Sequence, residues 1–364
     1  MSLQLKYIKH RLRFRFAAGT SRGVLTEKDI WILKVSRSGQ SQVFGLGECA
    51  PLINLSPDNL LGMEGELDRV ALKIQEFNLL EGVEGCLKLA DQLTSLEFPS
   101  ICFGLETALL DLLHGGNRVI FPNQFSRGQQ SIPINGLVWM GDKEFMLQQV
   151  NEKIRQGFTC IKLKIGAIDF EQELSVLSYI RKSFPDKKLT LRVDANGAFS
   201  PEEAMQKLEV LSEFDIHSIE QPIAAGQQDE MARLCTSSPI PIALDEELIG
   251  VINRVDKEIL LEKINPKFII LKPTLIGGIT STREWIEIAE ANNIGWWMTS
   301  ALESNIGLNA IAQLTAEYQT QIPQGLGTGG LYFNNFDSPL KISQGTLQYD
   351  LSNYWNYSEL EHFT

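Results

Sequence analysis

Several common chemistries leave marks that this sequence lacks. It has 5 cysteines in 364 residues, Cys49, Cys86, Cys102, Cys160 and Cys235, and no two of them form a CxxC pair. An odd count without paired spacing argues against a disulfide framework and a thiolate zinc site. It fits free thiols in a reducing compartment. The 4 histidines (His10, His114, His217, His362) show no HExxH spacing, so a histidine zinc site is not expected. No GxGxxG follows an early strand, which removes the usual signal of a dinucleotide-binding sheet. No apolar run is long enough to span a bilayer. The stretch Met1 to Phe16 is basic and alternating instead of forming an apolar signal core, so a cytoplasmic location is expected. Positive charge is in deficit, with 33 Lys+Arg against 45 Asp+Glu and a formal charge of -12. That balance argues against nucleic acid as a partner. Local lysine clusters still admit an anionic small molecule, and a homo-oligomer is compatible with the sequence.

What is present is ordinary in bulk and specific in pattern. Hydrophobic residues make up 43% and charged residues 21%, as in soluble globular proteins. The length suits a barrel plus an extra domain. Gln4 to Phe16 and Asp29 to Ser36 alternate like two strands, with a polar loop at Thr20-Ser21-Arg22-Gly23 between them. Gly45 to Pro51 reads as a third strand ending in a turn. Asp58 to Phe77, Glu84 to Leu96 and Pro99 to His114 read as helices, the last closed by Gly115-Gly116. Arg118 to Ser131 is polar and suits a linker.

From Ile132 short apolar runs alternate with amphipathic helices. The runs are 132–138, 158–165, 189–194, 216–220, 240–245, 268–272, 294–300 and 322–326. Eight strand candidates in a βα rhythm predict a β/α barrel. After Gly330 the chain is irregular, and Leu340 to Asp350 is an extended piece that returns to the N-terminal domain. The expected division is an α+β domain over 1–125, a barrel over 126–335 and a C-terminal segment over 336–364.

In such a barrel the C-terminal ends of the strands point into the active site. The second candidate carries Lys162-Leu163-Lys164, and alternation puts both lysines on one face. The third ends Arg192-Val193-Asp194-Ala195-Asn196, the fourth Glu220-Gln221-Pro222, the fifth Asp245-Glu246-Glu247, the sixth Lys272-Pro273. Asp194, Glu220 and Asp245 therefore end three successive strands. Three converging carboxylates need a cation between them to stay ionised. All-oxygen ligands suit Mg²⁺, with Mn²⁺ as the alternative. Lysines beside a metal lose basicity and become usable bases near neutral pH. Together these groups can remove a proton α to a substrate carboxylate and stabilise the resulting anion.

Lys162-x-Lys164, Asp194-x-Asn196, Glu220-Gln221-Pro222, Asp245-Glu246 and Lys272-Pro273, with the helix Phe103-Gly104-Leu105-Glu106-Thr107-Ala108, resemble the signature of the enolase superfamily in its muconate-lactonising subgroup. The resemblance implies a modified TIM barrel, (β/α)7β, with an N-terminal α+β capping domain whose loops cover the barrel mouth. Within the subgroup, Leu271 to Gly278, Thr299 to Ser304 and Gly325 to Gly329 are similar to the o-succinylbenzoate synthases. That similarity implies loss of water from 2-succinyl-6-hydroxy-2,4-cyclohexadiene-1-carboxylate, a dicarboxylate, in menaquinone biosynthesis. It makes Lys164 the base, Lys272 the charge over the opposite face, and Lys162 the group that helps bind the carboxylate and depresses Lys164. It gives Asp194, Glu220 and Asp245 to Mg²⁺. Arg192, Asn196 and Ser300 are candidate substrate contacts, as are Thr20 and Arg22, and the loops Thr20 to Arg22 and Glu48 to Leu55 should cover the site.

One departure bears on substrate. Relatives that act on dipeptides use acids near the end of the last barrel strand to hold an ammonium. Here that place reads Gly325-Leu326-Gly327-Thr328-Gly329. An ammonium would lack its partner there. N-acylamino acid racemisation or dipeptide epimerisation on the same scaffold remains the alternative activity, since two lysines on opposite faces also suit two-base exchange. A non-catalytic binding protein is the alternative of another class, and it would be expected to have lost a ligand or a base.

Overall fold

Alternation along the first fifty residues builds an antiparallel sheet of β1 (Leu3–Thr20), β2 (Gly23–Arg37) and β3 (Gln40–Cys49), in that spatial order. The computed structural model describes residues 1–20, 23–78, 81–166, 168–184, 189–357 and 360, and of Thr20 the backbone alone. β1 and β2 run longer than the alternation suggests. They pair from Leu3↔Arg37 to Thr20↔Gly23, with a bulge between Arg13 and Ala18, so Thr20 and Gly23 of the expected loop belong to the strands of a long ribbon, while Ser21 and Arg22 lie outside the described residues. The inner face of this sheet carries α1 (Met63–Lys73), α2 (Gly82–Leu93) and α3 (Pro99–Leu113). The first helix starts five residues later than Asp58. The Asp58 carboxylate is engaged elsewhere, accepting from Ser100 N and Ser100 Oγ in the first turn of α3. The backbone of α3 approaches β3 so closely that a Cβ on Gly47 would stand 1.8 Å from Gly104 O, and one on Gly45 1.9 Å from Ala108 O. Only glycine fits those two positions.

The barrel follows. Its staves are β5 (Gly136–Val138), β6 (Cys160–Lys164), β7 (Thr190–Asp194), β8 (Ile216–Glu220), β9 (Ile242–Leu244), β10 (Phe268–Leu271) and β11 (Gly295–Met298), parallel and in sequence order. The intervening helices are α4 (Lys143–Arg155), α5 (Phe170–Ser183), α6 (Pro201–Ser212), α7 (Gln228–Ser237), α8 (Arg254–Ile264), the short α9 (Pro273–Ile276) with α10 (Gly278–Ala291), and α11 (Asn305–Thr315). The eighth apolar run forms no regular strand. Residues 322–326 close the ring through single bridges, Ile134↔Gln324 on one side and Thr299↔Gly325 on the other. Pro323 has no N–H to give to a ladder, and a Cβ on Gly325 would meet Thr299 Oγ1 at 2.4 Å. The architecture is thus the (β/α)7β barrel with an α+β capping domain.

Two connections differ from expectation. The polar stretch after α3 is docked, not a loose linker. Phe121 and Phe125 are buried, and the N–H groups of Ile120 and Phe121 both donate to Gln313 Oε1 on α11. The first apolar run also divides. Its start, β4 (Ile132–Pro133), pairs with a C-terminal hairpin of β12 (Leu340–Ser343) and β13 (Thr346–Tyr349). The hairpin therefore adds to the foot of the barrel and not to the capping sheet. The residues on both sides of it do return to the capping domain: Phe333 N donates to Arg13 O at 2.9 Å, and beyond the hairpin Leu360 is buried in one cluster with Leu12, Phe14, Ile30 and Ile32. No helix among the described residues is long and apolar enough to cross a membrane.

Candidate active site

Parallel register sets the site. Lys162 stands beside Arg192, Lys164 beside Asp194, and Asp194 beside Glu220. Asp245 follows β9 directly and Lys272 follows β10. These three lysines and three carboxylates are all buried, which is tolerable only if the charges pair. Lys162 Nζ lies 2.8 Å from Asp194 Oδ2 and 2.6 Å from Glu220 Oε2. Lys164 Nζ lies 2.6 Å from the same Asp194 oxygen and donates to Asn196 Oδ1 at 2.7 Å. Lys272 pairs with Asp245.

Two non-glycine residues directly behind the carboxylates hold left-handed backbone, Asn196 at φ 46° and Gln221 at φ 40°. Such strain persists where neighbours over-determine it. Asn196 N donates to Asp194 Oδ1, and its side chain bridges Lys164 to Glu246 Oε1. Gln221 Oε1 accepts from Asp245 N and its amide donates to Glu247, tying the ends of β8 and β9 together. Gln221 is a structural support that site-by-site reading of the sequence passes over. Its signal is a glutamine directly after a strand-end carboxylate.

The charges shape each other's protonation. Burial works against every one of these ionised groups. Burial is the largest influence on Asp194, yet the ammoniums of Lys162 and Lys164 outweigh it and hold the carboxyl well below its usual range. Lys272 likewise keeps Asp245 low against burial. Glu220 is pushed well above the usual carboxylate value by burial and then by Asp194. For Lys162 and Lys272 the facing carboxylates outweigh burial and raise the ammonium. Lys164 is lowered, by burial and then by the like charges of Lys162 and Lys272 against the pull of Asp194.

Above these groups opens a cavity of about 330 Å³ between barrel and capping domain. Its floor carries Lys162, Lys164 and Lys272. Its capping side is apolar, with Val24, Leu25, Leu52 and Ile53. The barrel rim adds Leu137, Trp139 and the segment Thr299 to Leu302. Asn135 and Thr299 also line it, and among the described residues Asn135 Oδ1 and Thr299 Oγ1 are buried without a hydrogen-bond partner. Both are positions that the sequence reading missed. For Thr299 the signal is a polar residue directly after β11, at the mouth end of an apolar run; Asn135 stands ahead of β5, in the middle of the run 132–138.

The expected contacts separate by depth. Ser300 lines the cavity, but its hydroxyl is engaged, donating to Glu303 Oε2 and accepting from Thr328 Oγ1 at 2.8 Å. Asn196 sits against Lys164. Arg192 is not among the residues that line the cavity. It faces inward like Asp194, two residues deeper, or about 6.6 Å down the strand. Its guanidinium lies 3.9 Å from the centre of the Trp297 ring and donates to Pro323 O. Of the Thr20 to Arg22 loop, Arg22 lies outside the described residues and only the backbone of Thr20 is described, at the end of β1. Within the second covering loop, Leu52 to Leu55 line the cavity while Glu48 turns away. Glu48 accepts from Ser304 N, Ser304 Oγ and Gly307 N at the start of α11.

The donor set fits a hard divalent cation. It is all oxygen, on adjacent strands, and Glu220 Oε1 is buried without a hydrogen-bond partner among the described residues. In this structure lysine ammoniums stand against the carboxylates. Among the described residues no three acidic, histidine or cysteine side chains form a ready-made ion cage.

The family model described as enolase C-terminal domain-like matches residues 146–350. The chain is 46% identical to an o-succinylbenzoate synthase of Desulfotalea psychrophila, over 95% of this chain and 98% of that one. The crystal structure of MenC from the same organism superposes with a TM-score of 0.86 at 42% identity, covering 96% of this chain and all of that one. More remotely, the L-Ala-D/L-Glu epimerase of Bacillus subtilis shares the fold at 20% identity, with a TM-score of 0.83 over 96% of each chain.

Proposed function

The chain belongs to the o-succinylbenzoate synthases of the enolase superfamily, and from that premise we propose that it removes water from 2-succinyl-6-hydroxy-2,4-cyclohexadiene-1-carboxylate to form 2-succinylbenzoate, in the cytoplasm and as a step of menaquinone biosynthesis. One observation carries the reading: the strand-end carboxylates lie beneath an apolar-walled cavity whose floor presents three lysines.

Asp194, Glu220 and Asp245 would hold Mg²⁺, or Mn²⁺ in its place. The cation supplies Lewis-acid charge beside the reacting carboxylate. Lys164, lowered by burial and by the other two ammoniums, is the residue most readily neutral. It takes the proton α to the ring carboxylate. The electron pair released passes into the ring system as the neighbouring C–O bond breaks. The same ammonium then gives its proton to the departing hydroxyl, so one water leaves from one face and the ring becomes aromatic. Asn196 holds the amine of Lys164 in place. Lys162 neutralises the carboxylate cluster and keeps Lys164 low. Lys272, kept cationic by Asp245, steadies the delocalised negative charge. The apolar walls exclude water and enclose the succinyl chain. Thr328, and not an acid, stands at the rim beside Ser300, so an ammonium-bearing dipeptide finds no partner there.

The test is the absorbance change on mixing the purified protein with the diene carboxylate and Mg²⁺, beside Lys164→Ala. Fast loss of the diene signal in wild type only is the expected result. Metal-loaded wild type that leaves the diene untouched would sink the proposal. Racemisation of N-succinyl amino acids and dipeptides would then be measured.

A further inference from the structure

Lys28 lies outside the mechanism above, yet it is a buried lysine in β2 of the capping domain, 5% exposed. A buried ammonium normally pairs with a carboxylate. Here the hydrogen bonds go to backbone instead. Lys28 Nζ donates to Ala301 O at 2.6 Å and to Leu302 O at 3.1 Å, across 273 and 274 residues of sequence. Glu303, Glu48 and Asp58 face it electrostatically. Among the described residues no carboxylate bonds it.

The two carbonyls belong to the turn that forms one wall of the substrate cavity. Leu302 holds left-handed backbone at φ 66°, a conformation that Cβ disfavours by about 1–2 kcal/mol because it crowds the following carbonyl oxygen. Three groups maintain it. Ser300 Oγ accepts from Leu302 N, Tyr332 Oη donates to Leu302 O at 2.7 Å, and Lys28 takes the same carbonyl from the capping side. Val24 and Leu25, on the same strand as Lys28, line the opposite side of the cavity.

We infer that Lys28 is a positioning residue for substrate: it ties the strained Ala301–Leu302 turn of the barrel to the capping strand that covers the cavity, and so sets how tightly the succinyl-bearing substrate and product are held. The inference rests on the synthase reading and concerns binding, not proton transfer. Burial brings Lys28 down to about 8, against the pull of the facing carboxylates, so its charge is lost in mildly alkaline solution.

The experiment compares wild type, Lys28→Met, Lys28→Arg and Tyr332→Phe in the presence of Mg²⁺. It measures kcat and KM for the diene carboxylate, calorimetric affinity for 2-succinylbenzoate, and thermal midpoint. Losing hydrogen bonds from a charged donor should raise KM and product Kd about 10-fold in Lys28→Met with kcat within about twofold, and Arg should recover most of the loss. Wild-type product affinity should weaken as pH rises through about 8, and Lys28→Met should lack that inflection. A folded Lys28→Met with wild-type KM and product affinity overturns the inference, even if its thermal midpoint falls. Where Lys28→Met does not fold, Tyr332→Phe decides, because loss of the second donor on the same carbonyl should raise KM about threefold; an unchanged KM overturns the inference. Wild type that neither turns over the diene nor binds the product overturns it together with the synthase reading, whereas an active wild type with an indifferent Lys28→Met overturns it alone.

Discussion

Lys164 Nζ and Asp194 Oδ2 stand 2.6 Å apart, so the proposed base and a proposed metal ligand are each other's partner in this structure. A cation that takes Asp194 competes with the lysine for the same oxygen and leaves the amine to the substrate. Lys164→Ala should therefore lose turnover by about 10³-fold, the scale of a general base, while Mg²⁺ affinity is kept or improved. Rate and calorimetric titration on one preparation check both halves. A variant that loses activity and Mg²⁺ affinity in parallel would contradict the assignment of Lys164 as base.

Lys162 serves two carboxylates at once. Removing one member of a buried pair costs about 3–5 kcal/mol. Lys162→Met should unfold at a lower denaturant midpoint than wild type without divalent cation, and Mg²⁺ should return part of the difference by neutralising the same oxygens. Chelation should stop wild-type turnover reversibly. A Mg²⁺-independent midpoint in both proteins would argue against a cation at these residues.

Glu106 of α3 caps a barrel helix: its carboxylate accepts from Ile279 N, Thr280 N and Thr280 Oγ1 at the start of α10. Burial pushes it up to about 7, although those hydrogen bonds pull the other way. Between about pH 4.5 and 7 the folded chain thus holds a proton that the unfolded chain has released. The stabilisation is complete below that window and is lost as pH rises through it, amounting to about 3 kcal/mol. Glu106→Gln cannot titrate. Its denaturant midpoint should fall less than that of wild type between pH 5 and pH 8, and equal slopes would refute the linkage.

Glu48 does for α11 what Glu106 does for α10. Glu48→Ala leaves the buried N–H groups of Ser304 and Gly307 without their acceptor. About 3 kcal/mol of stability should go with them, read as a lower denaturant midpoint. The segment Ser300 to Leu302 lies just ahead of this cap, so KM should rise as well. A change below about 0.5 kcal/mol would mean that water replaces the carboxylate.

Much of the barrel and its floor was legible from local pattern. Period-two alternation put Lys162 and Lys164 on one face, and carboxylates at the ends of three successive apolar runs, Asp194, Glu220 and Asp245, marked the mouth. Alternation names a face but not a depth, so Arg192 read as a mouth residue although it stacks on Trp297 below. Pattern also failed where a side chain had been committed elsewhere. Asp58 serves Ser100 and not α1, and Gln313 draws the expected linker into the interior.

The sequence by itself determined the order of strands, the identity of the six charged floor residues, and the absence of an acid near Gly327. Each is written in successive βα units, which chain connectivity sets side by side from β6 to β10. Tertiary structure alone decided that Lys28 holds Leu302, that Glu48 caps α11 and that Glu106 caps α10, contacts spanning 274, 256 and 173 residues. The reason is physical. A buried charge takes whichever donors or acceptors packing brings within reach, and across two domains that choice exists only once the capping domain has closed on the barrel.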